Sequence, residues 1–167
     1  MKKQQKKTAH HWMSPTIKFP GGHIQIVNPR RPIENVWSDI LYLKPKAEFP
    51  AHSHKDTASL LVCIGGSGEV GINGNRTHLR KGVCAFIPRG AEHYVRARAT
   101  SSLTCLSLNE GIIKPGATAD IRFANPRLVN NLRAWSEFVA NCGNAAADFQ
   151  EKINADGEPC NVFSLAL

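Results

Sequence analysis

From residue 16 onward the apolar residues come in short runs of strand length, separated by glycine, proline and asparagine. HIQIV follows a Gly21-Gly22 turn, and VWSDILYL fills residues 36 to 43 with β-branched and aromatic side chains. NPRRP between them is a proline-punctuated loop, and Pro45 and Pro50 bracket a second loop. The next predicted strands are Ser59 to Ile64 and Glu69 to Ile72, broken apart by Gly65, Gly66 and Gly68. Asn73-Gly74-Asn75 predicts a hairpin turn, with Arg76 to Leu79 pairing back. VCAFIP after Gly82, YVRARA after the turn PRGAEH, and SLTCLSL complete the series. Short strands at this spacing, with no helices between them, predict an all-β antiparallel sandwich or barrel.

The last quarter changes period. Asn125 and Pro126 suit a helix start, and Leu128, Leu132, Trp135 and Val139 then fall on one helical face before Gly143. A second short helix over Ala145 to Ile153 extends the predicted helical segment to about residues 125–154, and CNVFSLAL suits a final strand. Residues 1–15 read as a polar basic tail and residues 16–167 as a single domain, its helices packed on the sheet or on a partner subunit.

Charge adds little. The formal net charge is +8, but Lys2, Lys3, Lys6 and Lys7 of the tail carry half of it. No nucleic-acid motif accompanies the rest, so no specific nucleic-acid binding is expected. No apolar run reaches the roughly 20 residues of a membrane span, and the basic start lacks the apolar stretch of a signal peptide. The expectation is a cytoplasmic protein. Cys63, Cys84, Cys105, Cys142 and Cys160 are odd in number and contain no C-x-x-C, which argues against a disulfide framework or zinc ribbon. Cys63, Cys84 and Cys105 lie in apolar runs, where a thiol is expected as a small buried hydrophobe.

Chemistry enters at HSHKDTASLLVCIGG, residues 52 to 66. Side chains two apart on a strand share a face, so His52 and His54 can offer two imidazoles to one metal ion. GVCAFIPRGAEH, from Gly82 to His93, reads G-x5-P-x-G-x2-H. A strand, a reversing Pro-x-Gly turn and a histidine just past it aim a third imidazole.

These two stretches resemble the two motifs of the cupin superfamily. His52, His54 and Gly66 match the first motif; Gly82, Pro88, Gly90 and His93 match the second. The resemblance covers residues 46–97 and implies a double-stranded β-helix, a jelly-roll barrel holding a divalent metal on His52, His54 and His93. Lys46 stands where the first motif opens with glycine, and Ala97 where the second ends with asparagine. Ser59 stands where the family places a glutamate, leaving three neutral imidazoles and open coordination positions. Fe(II) leads the expected metals, with Zn, Ni or Cu as the others.

If Ser59 faces the cavity, Leu61 and Cys63 do too, while Leu60, Val62 and Ile64 face away. Val95 and Ala97 then share the face of His93, and Tyr94, Arg96 and Arg98 point outward. Asp56 and Glu92, with Glu48 behind them, are candidate acids that could replace the glutamate. Each is otherwise a solvated loop acid. Arg89, inside the Pro-x-Gly turn, is the candidate contact for an anionic ligand at the barrel mouth.

Two functions fit. One is a metal-dependent enzyme acting on a small molecule, such as an Fe(II) dioxygenase or a related isomerase or lyase. Three-histidine sites without the glutamate resemble those of thiol and diketone-cleaving dioxygenases. The other is a non-catalytic ligand-binding or sensor module, since HLRKGVCAFIPRGAEHYVRA is similar to the sensing domains of arabinose-regulator-type transcription factors. The resemblance and the apolar C-terminal helix also imply a homodimer.

Overall fold

In a computed structural model of the chain, the described residues are 16–27, 36–111 and 120–125. The expected tail, the helical segment over about 125–154, the final strand, Cys142 and Cys160 lie outside them. The described residues form ten strands and no helix: β1 (Thr16–Phe19), β2 (Gly22–Val27), β3 (Val36–Leu43), β4 (Glu48–Ser53), β5 (Ala58–Ile72), β6 (Asn75–Arg80), β7 (Cys84–Ile87), β8 (His93–Ala97), β9 (Leu103–Glu110) and β10 (Arg122–Phe123). None of the described residues belongs to a helix able to cross a membrane.

The hydrogen-bonded order is β1-β2-β3-β9-β5-β8-β4-β10, with β6 and β7 both paired to β5, and every pairing is antiparallel. The long β5 joins the two halves of this curled sheet. Its first part pairs with β9 and β7, and its second with β8 and β6. The glycines expected to end a strand at residues 65 to 68 instead let one strand change sheets. The register slips between Cys63 and Gly65, Gly66 takes φ 72°, and a Cβ on Gly68 would come 2.2 Å from the Arg96 carbonyl oxygen. A bend with close backbone approach is the usual role of glycine inside a strand.

Pro50 likewise falls within β4 rather than in a loop. It sits where the β4–β8 register shifts between Phe49 and His52, and an irregular pairing is where a residue without an N–H can be accommodated. Asn73 and Gly74 both have positive φ, 48° and 84°, as the predicted hairpin turn requires.

Alternation assigns the core. Leu41 and Leu43, Leu61 and Cys63, Ala85 and Ile87, Val95 and Ala97, and Leu103 and Cys105 all point inward and are buried. The parity expected for β5 and β8 holds, with Leu60, Arg96 and Arg98 exposed. Cys84 departs from the expected burial. It faces Val62 on the outer side of the sheet and is exposed.

Candidate metal centre

His52 lies on β4, His54 one residue past that strand's end, and His93 opens β8. β4 and β8 are neighbours, and His52 and His93 are direct cross-strand partners. The His52 ring centroid is 4.1 Å from that of His93 and 5.0 Å from that of His54. One nitrogen from each ring lies within 4.8 Å of the others.

Each ring is oriented by a backbone carbonyl. His52 Nδ1 is 2.7 Å from the Pro50 oxygen and His93 Nδ1 is 2.9 Å from the Ala91 oxygen. His54 Nδ1 meets the Asp120 carbonyl oxygen. A carbonyl only accepts, so each Nδ1 carries the proton and each Nε2 keeps its lone pair. This arrangement fixes the tautomer of metal-binding histidines and raises their basicity as ligands.

The surroundings keep the rings neutral. His52 and His93 are 3% and 5% exposed. Phe49 stands edge-on to His52 at 4.6 Å, and Phe123 lies 6.0 Å from it. Burial holds the His52 imidazolium pKa well below the ordinary 6.5, and the neighbouring His93 and His54 push it the same way. Burial likewise lowers His54, against the opposing pull of the Asp120 carbonyl. It lowers His93 to about 4. Three neutral nitrogen donors, two buried and the third on half-buried His54, with their second nitrogens tied off, fit a divalent first-row metal ion.

Among the described residues no carboxylate or thiol joins the three histidines as a ligand group. Asp56 and Glu92 are exposed loop residues. The Asp56 backbone N–H donates to Asp120 Oδ2 at 2.6 Å, and the Glu92 N–H to Asn73 Oδ1 at 3.0 Å. Glu48 is paired with Arg96 on the outer face. Arg89 is exposed and already engaged: its guanidinium pairs with Glu110, and its Nε donates to the Asp56 carbonyl at 3.2 Å. Cys63 faces Cys105 across β5 and β9, and the Cys63 thiol donates to the Gly65 carbonyl at 3.6 Å. Burial raises the pKa of both, so they stay protonated.

Ser59 is buried and faces inward, and it opens a polar string. Its hydroxyl donates to Asn109 Oδ1 at 2.6 Å, and Asn109 Nδ2 donates to Asp39 Oδ2 at 2.7 Å. Burial raises the Asp39 carboxyl from 3.8 to about 6, against the lowering effect of bonds from Asn109 and Ser107. Neither Asn109 nor Asp39 belongs to a motif. The signal for Asn109 was available in β9, where it continues the inward alternation of Leu103, Cys105 and Ser107. Asp120 has no comparable local signal.

The family model described as "Cupin domain" matches residues 40–109, which span β4 to β9 and all three histidines. Residues 40–109 of this chain are a cupin domain. Its fold is similar to that of KdgF from Halomonas sp., at 19% identity and a TM-score of 0.52, over 63% of this chain and 91% of that one. The capsular polysaccharide assembling protein CapF from Staphylococcus aureus is 14% identical with a TM-score of 0.57, over 69% of this cupin and 32% of CapF. A single-substitution variant of oxalate decarboxylase from Bacillus subtilis is 26% identical with a TM-score of 0.51, over 59% of this chain and 28% of the enzyme. The cupin therefore spans about a third or less of those last two proteins. No curated protein matches it in sequence.

Proposed function

We propose that this cupin binds one divalent metal ion on His52, His54 and His93 and acts as a small oxidoreductase of the dioxygenase type, with Fe(II) as the working metal. The observation that carries this reading is the tautomer pattern. Three separate carbonyls hold the three Nδ1 protons, which leaves each Nε2 lone pair free on three rings that bring one nitrogen apiece within 4.8 Å of the others. When bound, the metal would supply Lewis acidity and a site for substrate and dioxygen.

The chain's own contribution is electrostatic as well as geometric. Neutral ligands leave the charge of a dication uncompensated, and no carboxylate joins them among the described residues. Such a donor set favours a substrate that brings an anionic oxygen or sulfur donor, such as a small carboxylate, enolate or thiolate. The likeness to oxalate decarboxylase, an enzyme named for a small dicarboxylate, supports the same class. Asp39, Asn109 and Ser59 form a bonded polar row that would meet hydroxyl or carbonyl groups of such a ligand.

Oxygen uptake by the Fe(II)-loaded protein, supplied in turn with small carboxylates, β-diketones and thiols, tests the enzymatic part. Uptake with one class, lost in His93→Ala, is expected. Binding of such ligands without turnover would replace the enzyme reading with the sensor one.

We also propose a homodimer through the outer face of β7, β5, β9 and β3. Phe86, Leu60 and Leu108 form one cross-strand row there, 63%, 37% and 42% exposed. Val62, Leu106 and Ile40 form the next row. These rows carry no charge in a chain of net charge +8, so this is a face on which two like-charged copies can meet.

A further inference from the structure

Strand β10 reaches the histidine site from outside the matched family segment, which ends at residue 109. Asp120, just before it, makes three bonds to the loop that carries His54. Its carbonyl accepts the His54 Nδ1 proton. Its carboxylate oxygens accept the backbone N–H groups of Lys55 at 3.1 Å and Asp56 at 2.6 Å. Arg122 and Phe123 then pair with Ser53 and His52, and the Ala124 N–H donates to the Ala51 carbonyl at 2.9 Å.

The three histidines differ in how they are held. His52 and His93 each bond the carbonyl two residues earlier, so the adjacent backbone fixes their tautomers. The acceptor for His54 comes from a remote segment. Gly90 N–H holds the His54 carbonyl at 2.7 Å and Arg89 holds the Asp56 carbonyl. Those bonds fix the loop backbone but not the imidazole.

We propose that Asp120 is the positioning residue for His54, and that docking of β10 and metal binding at the three histidines stabilise each other. The inference rests on the metal reading above. The carboxylate anchors Asp120 on two successive N–H groups, and the anchored carbonyl then aims Nε2 of His54 at the shared point. Linkage requires reciprocity: a strap that improves the site is itself tightened when the site is filled. The carboxylate bonds are solvent-exposed, so water replaces them in a variant and the fold survives.

The test compares the full-length wild type with Asp120→Ala, Asp120→Asn and the nearby control Arg122→Ala. Zn(II) affinity is read by chelator competition, and backbone exchange at Ala124 is read with and without Zn(II). Asp120→Ala should weaken Zn(II) binding about 10- to 100-fold, the usual range for outer-shell partners. Asp120→Asn, with one acceptor oxygen left, should recover part of the loss, and Arg122→Ala should bind as the wild type does. Zn(II) should slow exchange at Ala124 in the wild type. In the metal-free protein, imidazole 15N shifts should show His54 losing its Nδ1–H form in Asp120→Ala while His52 and His93 keep theirs. Equal Zn(II) affinity in wild type and Asp120→Ala, or unchanged His54 shifts, would overturn the role of Asp120 and leave the metal site standing. A wild type that binds no Zn(II) or other first-row ion would overturn the metal reading and the coupling with it.

Discussion

The Ser59 hydroxyl donates to Asn109 Oδ1 at 2.6 Å, across the β5–β9 pairing that sets the two residues opposite each other. The position where the family carries a glutamate is therefore occupied by a satisfied donor in a polar row, rather than by an unused side chain. Ser59→Ala should leave the Asn109 oxygen short of a partner and cost about 1–2 kcal/mol in urea unfolding. Its effect on metal affinity should stay within about twofold, because serine is not needed as a ligand. Ser59→Glu should bind divalent metal at least about tenfold more tightly, since an anionic donor joins three neutral ones. Equal metal affinity in Ser59→Glu and wild type would show that this side chain does not reach the ion.

Asp39 gives the row a pH dependence. Its carboxyl is raised from 3.8 to about 6, chiefly by burial. Between those values the folded chain keeps a proton that the unfolded chain has already released. The contribution of Asp39 is thus fully present below about pH 4 and is lost as pH rises through 6. Asp39→Asn imitates the protonated form and removes the dependence. The stability of the variant relative to wild type should increase between pH 4 and pH 7 by about 2 kcal/mol. A difference that stays constant over that interval would sink the assignment.

Backbone strain separates two positions of the first motif. Lys46 adopts φ 66°, a conformation that glycine takes without Cβ strain, and glycine is what the family carries there. Lys46→Gly should therefore stabilise the fold by roughly 0.5–1 kcal/mol. Gly66, at φ 72°, has no such latitude, because a Cβ would lie 1.9 Å from the Ser102 carbonyl oxygen. Gly66→Ala should lose about 2–4 kcal/mol, with both strain and displacement of backbone contributing. Thermal denaturation of the two variants beside wild type reads both signs.

The two uncharged rows make the dimer testable by one charge. Phe86→Lys places an ammonium in the row formed with Leu60 and Leu108. The mass from light scattering should fall from that of a dimer to that of a monomer, with the circular dichroism spectrum unchanged. A wild type that is already monomeric, or a Phe86→Lys protein that stays dimeric, would rule this face out.

The parts of the fold legible in the sequence were those governed by local rules. Period-two alternation placed Ser59, Leu61 and Cys63 on the inside and Arg96 and Arg98 on the outside, and Asn73-Gly74 marked its own turn. Pro50 and the 65–68 glycines misled because they usually end strands. Here the irregular β4–β8 pairing accommodates one, and a change of sheet uses the others. Cys84 was misplaced because an apolar run does not reveal which of its faces meets solvent. Within the site, the motif spacing was enough to bring His52, His54 and His93 together. The hold of Asp120 on His54 spans a separation of 66 residues and follows no periodicity, so only the folded chain displays it.

The central claim is that three neutral imidazoles make one metal site, and metal content tests it most directly. The untagged protein, loaded with Fe(II) under anaerobic conditions and desalted, should retain one ion per chain by elemental analysis. His52→Ala and His93→Ala, loaded in the same way, should retain close to none while keeping the wild-type circular dichroism spectrum. A wild type that emerges without metal, or alanine variants that hold as much as it does, would contradict the account.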